Sequence, residues 1–230
     1  MTKISAIISA YYCADYLVGR LDNLFTQEGI DLEIIAVCQR DSEERKILDG
    51  YNGKIVKVLT DDIPTIYRAW NLGIQASSGD YIINANSDDR FVPGGLAKMA
   101  ALLDSRTASA LIYGDQVIVN EIGGEPIGKF EWAEGGLEKL LKGCFVSPMP
   151  LWRRSLHDKY GWFDEDLQVA GDYDFWLKIV KGGERLYHLK EVVGIYLKSR
   201  TSAEHRQKNR TVWETARVRS RYRKGVGIWA

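Results

Sequence analysis

Cysteine is scarce: Cys13, Cys38 and Cys144 are odd in number and far apart. That excludes a disulfide-stapled scaffold, makes no zinc-binding spacing, and suits a reducing cytosol. Proline is also thin, at five in 230 residues; with 45% hydrophobic and 27% charged side chains, this excludes collagen-like and disordered chains. No apolar run approaches the roughly 18 residues of a bilayer-spanning helix. The opening MTKISAIISAYY holds only a few consecutive apolar residues and no cleavage site, so no leader is expected. Net charge is missing too, with 31 Lys+Arg against 31 Asp+Glu, which speaks against general nucleic-acid binding. The balance hides one asymmetry. From residue 206 on, Arg206, Lys208, Arg210, Arg217, Arg219, Arg221, Arg223 and Lys224 stand against a lone Glu214.

What is present is an alternation of strand and helix. Ile4 to Ile8 reads as a buried strand, and Tyr16, Leu17, Leu21, Leu24 and Phe25 recur at helical steps. Leu32 to Val37 and Lys54 to Leu59 read as the next two strands, separated by a short helix that Ser42 or Asp41 is placed to cap. Pro64 starts a helix to about Ser77, Tyr81 starts the fourth strand, and Pro93 starts a helix to about Asp104. This order predicts an α/β fold with a mostly parallel sheet covered on both faces. Ligands in such sheets sit beyond the carboxyl ends of the strands, which directs attention to SAYY, CQRD and NSDD.

The second half is less regular. Strands are expected at Leu111 to Val119 and Ile127 to Trp132, helices at 136–142, 153–160 and 172–181, and a strand pair or long edge strand at Leu186 to Leu197. Residues 203–223 could form one helix with an incomplete apolar stripe. It could pack on the domain with solvated arginines, lie on an anionic membrane surface, or meet an anionic partner.

In ANSDDRF two adjacent carboxylates follow a buried strand. Each raises the other's pKa unless a cation intervenes, and Mg²⁺ or Mn²⁺ takes such oxygen ligands readily. The plainer reading is an Asx-type turn that caps the following helix.

The surrounding residues add to this. ISAIISAYYCADYLVGRLDNLFTQ and DIPTIYRAWNLGIQASSGDYIINANSDDRFVPGGL resemble the family 2 glycosyltransferases of GT-A fold. The family's N-x-G-I-x-x-A-x-G-D/E-Y-I pattern stands here as Asn71, Gly73, Ile74, Gly79, Asp80, Tyr81 and Ile82, with Ala76 one place ahead of the pattern's alanine. Arg153-Arg154-Ser155, Gly161-Trp162-Phe163-Asp164-Glu165 and Asp172-Tyr173-Asp174-Phe175-Trp176 follow in family order, so the resemblance covers roughly residues 3 to 200.

The resemblance implies a Rossmann-like GT-A domain over 1–200, split into a nucleotide-sugar half (1–105) and an acceptor and catalytic-base half (106–200), then a basic tail over 201–230. It implies inverting transfer of a sugar from a nucleotide diphosphate to an acceptor hydroxyl, in polysaccharide or surface-glycan synthesis, on the cytoplasmic side and with tail contact to the inner membrane surface. Asp89 is then the metal ligand, Asp88 faces the ribose or a metal-bound water, and Asp172 is the base. Asp174 caps or braces the same helix turn. His205 matches a histidine that closes over metal and diphosphate; Arg200 or Arg206 could instead contact phosphate.

Ser9, Ala10, Tyr11 and Ser87 are implied to line the nucleotide pocket, with Tyr11 stacked on the base. Arg68 resembles a basic residue near the diphosphate; its alternative is a surface ion pair with Asp61 or Asp62. Gln39 stands where the family reads uracil with a carboxylate, and its amide suits an imide, cytosine or guanine edge. Asp41 could substitute, so a UDP-sugar is the expected donor on weakened grounds. Trp152 and Met149 lie where the family builds its cleft for a glycan or lipid-linked acceptor.

Rival functions are readable as well. A nucleotidyltransferase or sugar-nucleotide hydrolase on a similar sheet would carry a Gly-rich phosphate loop that SAIISAYYCADY lacks. A non-catalytic binding module needs no base, and a glycosidase needs two opposed carboxylates rather than an adjacent pair.

Overall fold

The computed structural model describes residues 2–198 and 207–223. In chain order its elements are β1 (Lys3–Ala10), α1 (Ala14–Phe25), β2 (Asp31–Gln39), α2 (Glu43–Asp49), β3 (Val56–Thr60), α3 (Ile66–Gln75), β4 (Tyr81–Asn84), β5 (Arg90–Phe91) and α4 (Gly95–Ser105). They continue as β6 (Ser109–Val119), β7 (Gly128–Phe130), α5 (Leu137–Leu140), β8 (Leu151–Arg153), α6 (Leu156–Tyr160), α7 (Gly171–Lys181), β9 (Arg185–Leu197) and α8 (Lys208–Arg223).

One sheet runs in the order β3-β2-β1-β4-β8-β6-β9-β5, with β7 added to β6. The strands β3, β2, β1 and β4 pair in parallel, because helical crossovers join them. Beyond β4 the sheet is mixed: β8 is antiparallel to both β4 and β6, whereas β6 and β9 pair in parallel through register shifts near Gly114 and Asp115. The expected parallel half is therefore joined to a mixed half.

Two apolar layers sandwich the sheet. On one face Leu17, Leu21 and Leu24 of α1 join Leu96 and Met99 of α4 over Ile4, Ala6 and Ile8. On the other, Tyr67, Trp70 and Ile74 of α3 join Phe175 and Trp176 of α7 over Ile7, Ile82 and Leu111. Alternation along the strands divides the apolar side chains between the two layers. A Cβ at Gly73 would collide with the Ile7 side chain, so glycine there sets how closely α3 lies on β1.

Two motifs far apart in sequence meet in this packing. Buried Asn71 donates from Nδ2 to the Phe163 carbonyl at 3.0 Å and accepts the Phe163 N–H at 3.1 Å. That reciprocal pair fixes the Gly161–Glu165 turn against α3.

Several boundaries differ from expectation. Thr65, not Pro64, caps α3, its hydroxyl accepting the Arg68 N–H. Gly94 at φ 72° precedes α4. The expected helix over 153–160 begins only at Leu156, because Leu151–Arg153 is drawn into the sheet between β4 and β6. The long strand β9 is not an edge, since the two residues of β5 pair along it.

Candidate active site

A cleft of about 510 Å³ opens at the carboxyl ends of β1 and β4. Ser9, Tyr11 and Tyr12 form one wall, Ile63 to Ile66 ahead of α3 a second, and Asn86 to Asp89 the floor; Gln168, Tyr196 and Gln207 close the rim. Tyr12 is the one non-glycine residue with positive φ (51°) among the described residues. Such a conformation costs about 1–3 kcal/mol, and here it leaves the phenol 86% exposed at the cleft, its ring centroid 4.2 Å from that of Tyr11.

The floor is built from behind. Arg20 is fully buried in α1 and donates from Nη1 to the main-chain carbonyl of Asp89 at 3.1 Å and to Asn23 at 3.0 Å. Arg90 donates to the Asp89 and Ser87 carbonyls, each at 2.7 Å. Asn23 bonds both polar main-chain atoms of Phe91. Two guanidiniums thus grip the backbone of the acidic loop, and Asp88 and Asp89 line the cleft. Burial pushes the Arg20 guanidinium down to about 9.

Asp89 is 2% exposed and its carboxylate is hydrogen-bonded by neutral donors: Leu197 N–H on Oδ1 and Asn86 Nδ2 on Oδ2, each at 3.2 Å. Burial first, then the Asp88 charge, raises its pKa to about 7. Asp88 is half-buried, and its pKa is raised mainly by burial. Two adjacent carboxylates with raised affinity for a positive charge are the donor set for a hard divalent ion, which uses one or two carboxylates and completes its shell on phosphate oxygens. The residues present fit such an ion. No group of three or more His, Cys, Asp or Glu that could hold a metal occurs among the described residues. His205, Arg200 and Arg206 lie outside the described residues.

Asp172 begins α7, four residues beyond Gln168 on the cleft rim. Its Oδ1 accepts the Tyr67 hydroxyl at 3.1 Å and the Tyr173 N–H at 2.8 Å. Burial raises its pKa against these bonds. Asp174 points elsewhere: it is buried and ion-paired at 2.8 Å with Arg221 of α8.

Of the nucleotide residues expected from sequence, Ser9, Tyr11, Ser87 and Asp88 come together in the cleft. Ala10 does not, because strand alternation turns it into the core. Gln39 reaches across to the Asp61 carbonyl at 3.5 Å, and Asp41 is solvent-exposed outside the cleft wall. Arg68 pairs with Glu165 at 3.4 Å rather than with Asp61 or Asp62; Arg40 takes Asp61. The expected acceptor residues are corrected outright. Met149 and Trp152 are 0% and 1% exposed, and Trp152 donates its indole N–H to His157 within the aromatic core. Apolar bulk next to a sheet strand was absorbed by packing. Tyr12 and Asn86 lie within the SAYY and NSDD segments but were not singled out there, and Gln168 and Tyr196 were missed with no local sequence signal.

Comparisons with known proteins agree with the fold. The model of the family described as Glycosyl transferase family 2 matches residues 5–161. An uncharacterized glycosyltransferase, YwdF, of Bacillus subtilis (strain 168) is 28% identical over 206 residues, covering 83% of this chain and 71% of that one. Chondroitin synthase of Pasteurella multocida (strain Pm70) is 28% identical over 196 residues, covering 82% of this chain; the match spans only 20% of that much longer enzyme. Among solved structures, S. aureus TarS 1–349 in complex with UDP-GlcNAc superposes with a TM-score of 0.77 at 20% identity, over 99% of this chain and 68% of that one. A mannosyltransferase from Pyrobaculum calidifontis in complex with GDP-Man and Mn²⁺ superposes at 0.68 and 16% identity, over 91% and 60%.

Proposed function

Because the chain belongs to glycosyl transferase family 2, we propose that its cleft binds a nucleotide diphosphate sugar and passes the sugar, with inversion, to a glycan or lipid-linked hydroxyl in polysaccharide or surface-glycan synthesis. The observation that carries this reading is Asp89: a carboxylate buried at the floor of an open cleft beside Asp88, hydrogen-bonded by neutral donors, its pKa raised to about 7 by burial and by Asp88 although the charge of Arg20 works the other way. Mn²⁺ or Mg²⁺ bound there would supply Lewis-acid stabilisation of the departing diphosphate.

The chain's own groups do the rest. Tyr11 and Tyr12 offer ring faces to the base, and Ser9 and Ser87 offer hydroxyls within the same cleft. Uracil is the proposed base, on the family resemblance and on the neighbour crystallised with UDP-GlcNAc. Asp172 is the proposed base catalyst. Tyr67 and Tyr173 hold its Oδ1, which leaves Oδ2 to take the acceptor proton as the oxygen attacks the anomeric carbon. Residues 1–105 then serve the donor and 106–200 the acceptor.

No described helix is long and apolar enough to cross a membrane. We place the protein on the cytoplasmic side with peripheral contact through residues 201–230, since α8 exposes Val212 and Trp213 alongside its basic residues. Liposome sedimentation of the chain with and without residues beyond 203 tests that contact; equal sedimentation removes it.

The main test is a thermal shift against UDP, GDP, CDP and ADP, with and without Mn²⁺. A ligand confined to the native state raises the melting point with its affinity. A Mn²⁺-dependent rise with one base supports the reading, and none with any base overturns it.

A further inference from the structure

A second cleft, of about 450 Å³, opens beside β6 and β7, and its floor is the buried pair Asp115 and His188, 2.7 Å apart. Although burial works the other way, the bonds from His188 and Lys129 hold the Asp115 carboxyl below its ordinary range. Trp132 stands over this floor, and two buried side chains pin it. Its main-chain N–H donates to Asp115 Oδ1 at 3.3 Å and its indole N–H to Gln116 Oε1 at 2.6 Å, while Gln116 is itself anchored on the Gly114 carbonyl. A tryptophan held through both its main-chain and indole N–H groups, backed by the apolar core yet only half-buried and lining an open cleft, offers a preorganised flat surface.

The cleft is charge-balanced. Lys129, Lys139 and Lys190 stand against Asp115, Glu131 and Glu134, and Lys129 and Lys190 are paired within that set. A balanced rim has many donors and acceptors and little net attraction for an ion, which suits a neutral polyhydroxylated ring. A pyranose places its C–H face on an aromatic plane and its hydroxyls against such a rim. The platform is also connected to the first cleft. Tyr196 lines that cleft, meets Phe130 edge-on at 5.4 Å, and Phe130 lies 5.3 Å from Trp132.

We propose that the Trp132 cleft is a saccharide subsite for a neutral sugar unit of the acceptor glycan, reached from the reaction cleft along Tyr196 and Phe130. The proposal rests on the glycosyltransferase reading and deepens it. It names a neutral oligosaccharide, gripped away from its reacting end, as the acceptor class.

Protein labelled with 5-fluorotryptophan tests it by ¹⁹F NMR, the Trp132 resonance being the one lost in Trp132→Phe. The probes are neutral tetrasaccharides of glucose, galactose, mannose and N-acetylhexosamine, and one uronate-containing tetrasaccharide. At least one neutral probe should move the Trp132 resonance, whereas UDP with Mn²⁺ should not; Trp132→Ala should weaken that probe about tenfold, and Trp132→Phe should largely restore it. Silence of Trp132 across the neutral panel, a response to the uronate alone, or unchanged affinity in Trp132→Ala overturns the proposal. Failure of the transferase reading shows separately, as the absence of any Mn²⁺-dependent nucleotide stabilisation, a readout that does not involve Trp132.

Discussion

Glu214 of α8 accepts the main-chain N–H of Ala170 at 3.2 Å, immediately ahead of the helix that carries Asp172. The same carboxylate collects the N–H groups of Gln168 and Val169 at 2.9 to 3.0 Å. A buried anion at a helix N-terminus satisfies orphan donors and opposes the helix dipole. The one acid of the basic helix α8 thus fixes the turn from the cleft rim to the proposed base.

Glu214→Ala leaves those donors unpaired in a buried place, so it should lower stability by about 3 kcal/mol. It should also reduce kcat more than donor affinity, because the misplaced group is Asp172 rather than the nucleotide wall. Urea midpoints and steady-state rates check both; an unchanged kcat in a folded variant removes the positioning role.

Asp172→Asn should abolish transfer while nucleotide binding stays within a few-fold of wild type. Burial raises the Asp172 pKa, so its stabilising protonated form is present in acid and lost as pH rises through the folded value. The neutral amide keeps an oxygen for Tyr67 and Tyr173. At pH 8 the variant should therefore melt no lower than wild type, with the difference closing in acid. The wild-type rate should fall on the acid side at a higher pH than an ordinary carboxylate dictates. Equal loss of nucleotide binding and transfer would instead mark Asp172 as structural.

Asp89→Asn should separate metal from fold. Without metal at pH 8, wild type holds a buried carboxylate whose pKa burial and Asp88 raise to about 7 against the pull of Arg20, and removing that charge should raise stability by about 2 kcal/mol. The amide oxygen can keep the Leu197 N–H, and the Asn86 amide can turn its own oxygen toward the new donor. Thermal melts should show the apo variant above apo wild type, with the Mn²⁺-dependent nucleotide shift gone. A lower apo melting point together with a retained shift counts against Asp89 as the ligand.

The parts of this molecule legible in its sequence are those governed by local pattern. Ile4 to Ile8, Ile34 to Val37 and Tyr81 to Ile83 are buried runs, and buried parallel strands read as such. The Asp88-Asp89 loop was visible because two like charges after a buried strand need an explanation. What escaped depends on distant partners. Arg20 falls between Leu17, Leu21 and Leu24 in the apolar stripe of α1, and only the loop some 69 residues away explains a cation there. The strand Leu151–Arg153 is too short to alternate, so the neighbouring β4 and β6 define it. Met149 and Trp152 went to the core for the same reason: an aromatic or thioether side chain looks alike in a sequence whether it meets a sugar or a sheet.

The donor half should be acid-sensitive through a carboxylate far from the chemistry. Glu33 on β2 accepts from Ser5 Oγ at 2.6 Å, Ser78 N–H at 2.9 Å, Ser78 Oγ at 2.7 Å and Lys3 Nζ at 3.2 Å, tying β2, β1 and the approach to β4 together. Burial alone would raise its pKa, but these four donors outweigh burial and hold it at about 2. A depressed carboxylate stabilises the fold above its unfolded pKa, and that stability is lost as pH falls from about 4.5 toward about 2. Allowing for its partial exposure, the contribution at neutral pH is about 2 kcal/mol. Glu33→Gln should therefore lower the unfolding free energy from urea melts at pH 7 by that amount and converge with wild type near pH 2. A gap that stays constant with pH would assign the loss to packing around the side chain rather than to its charge.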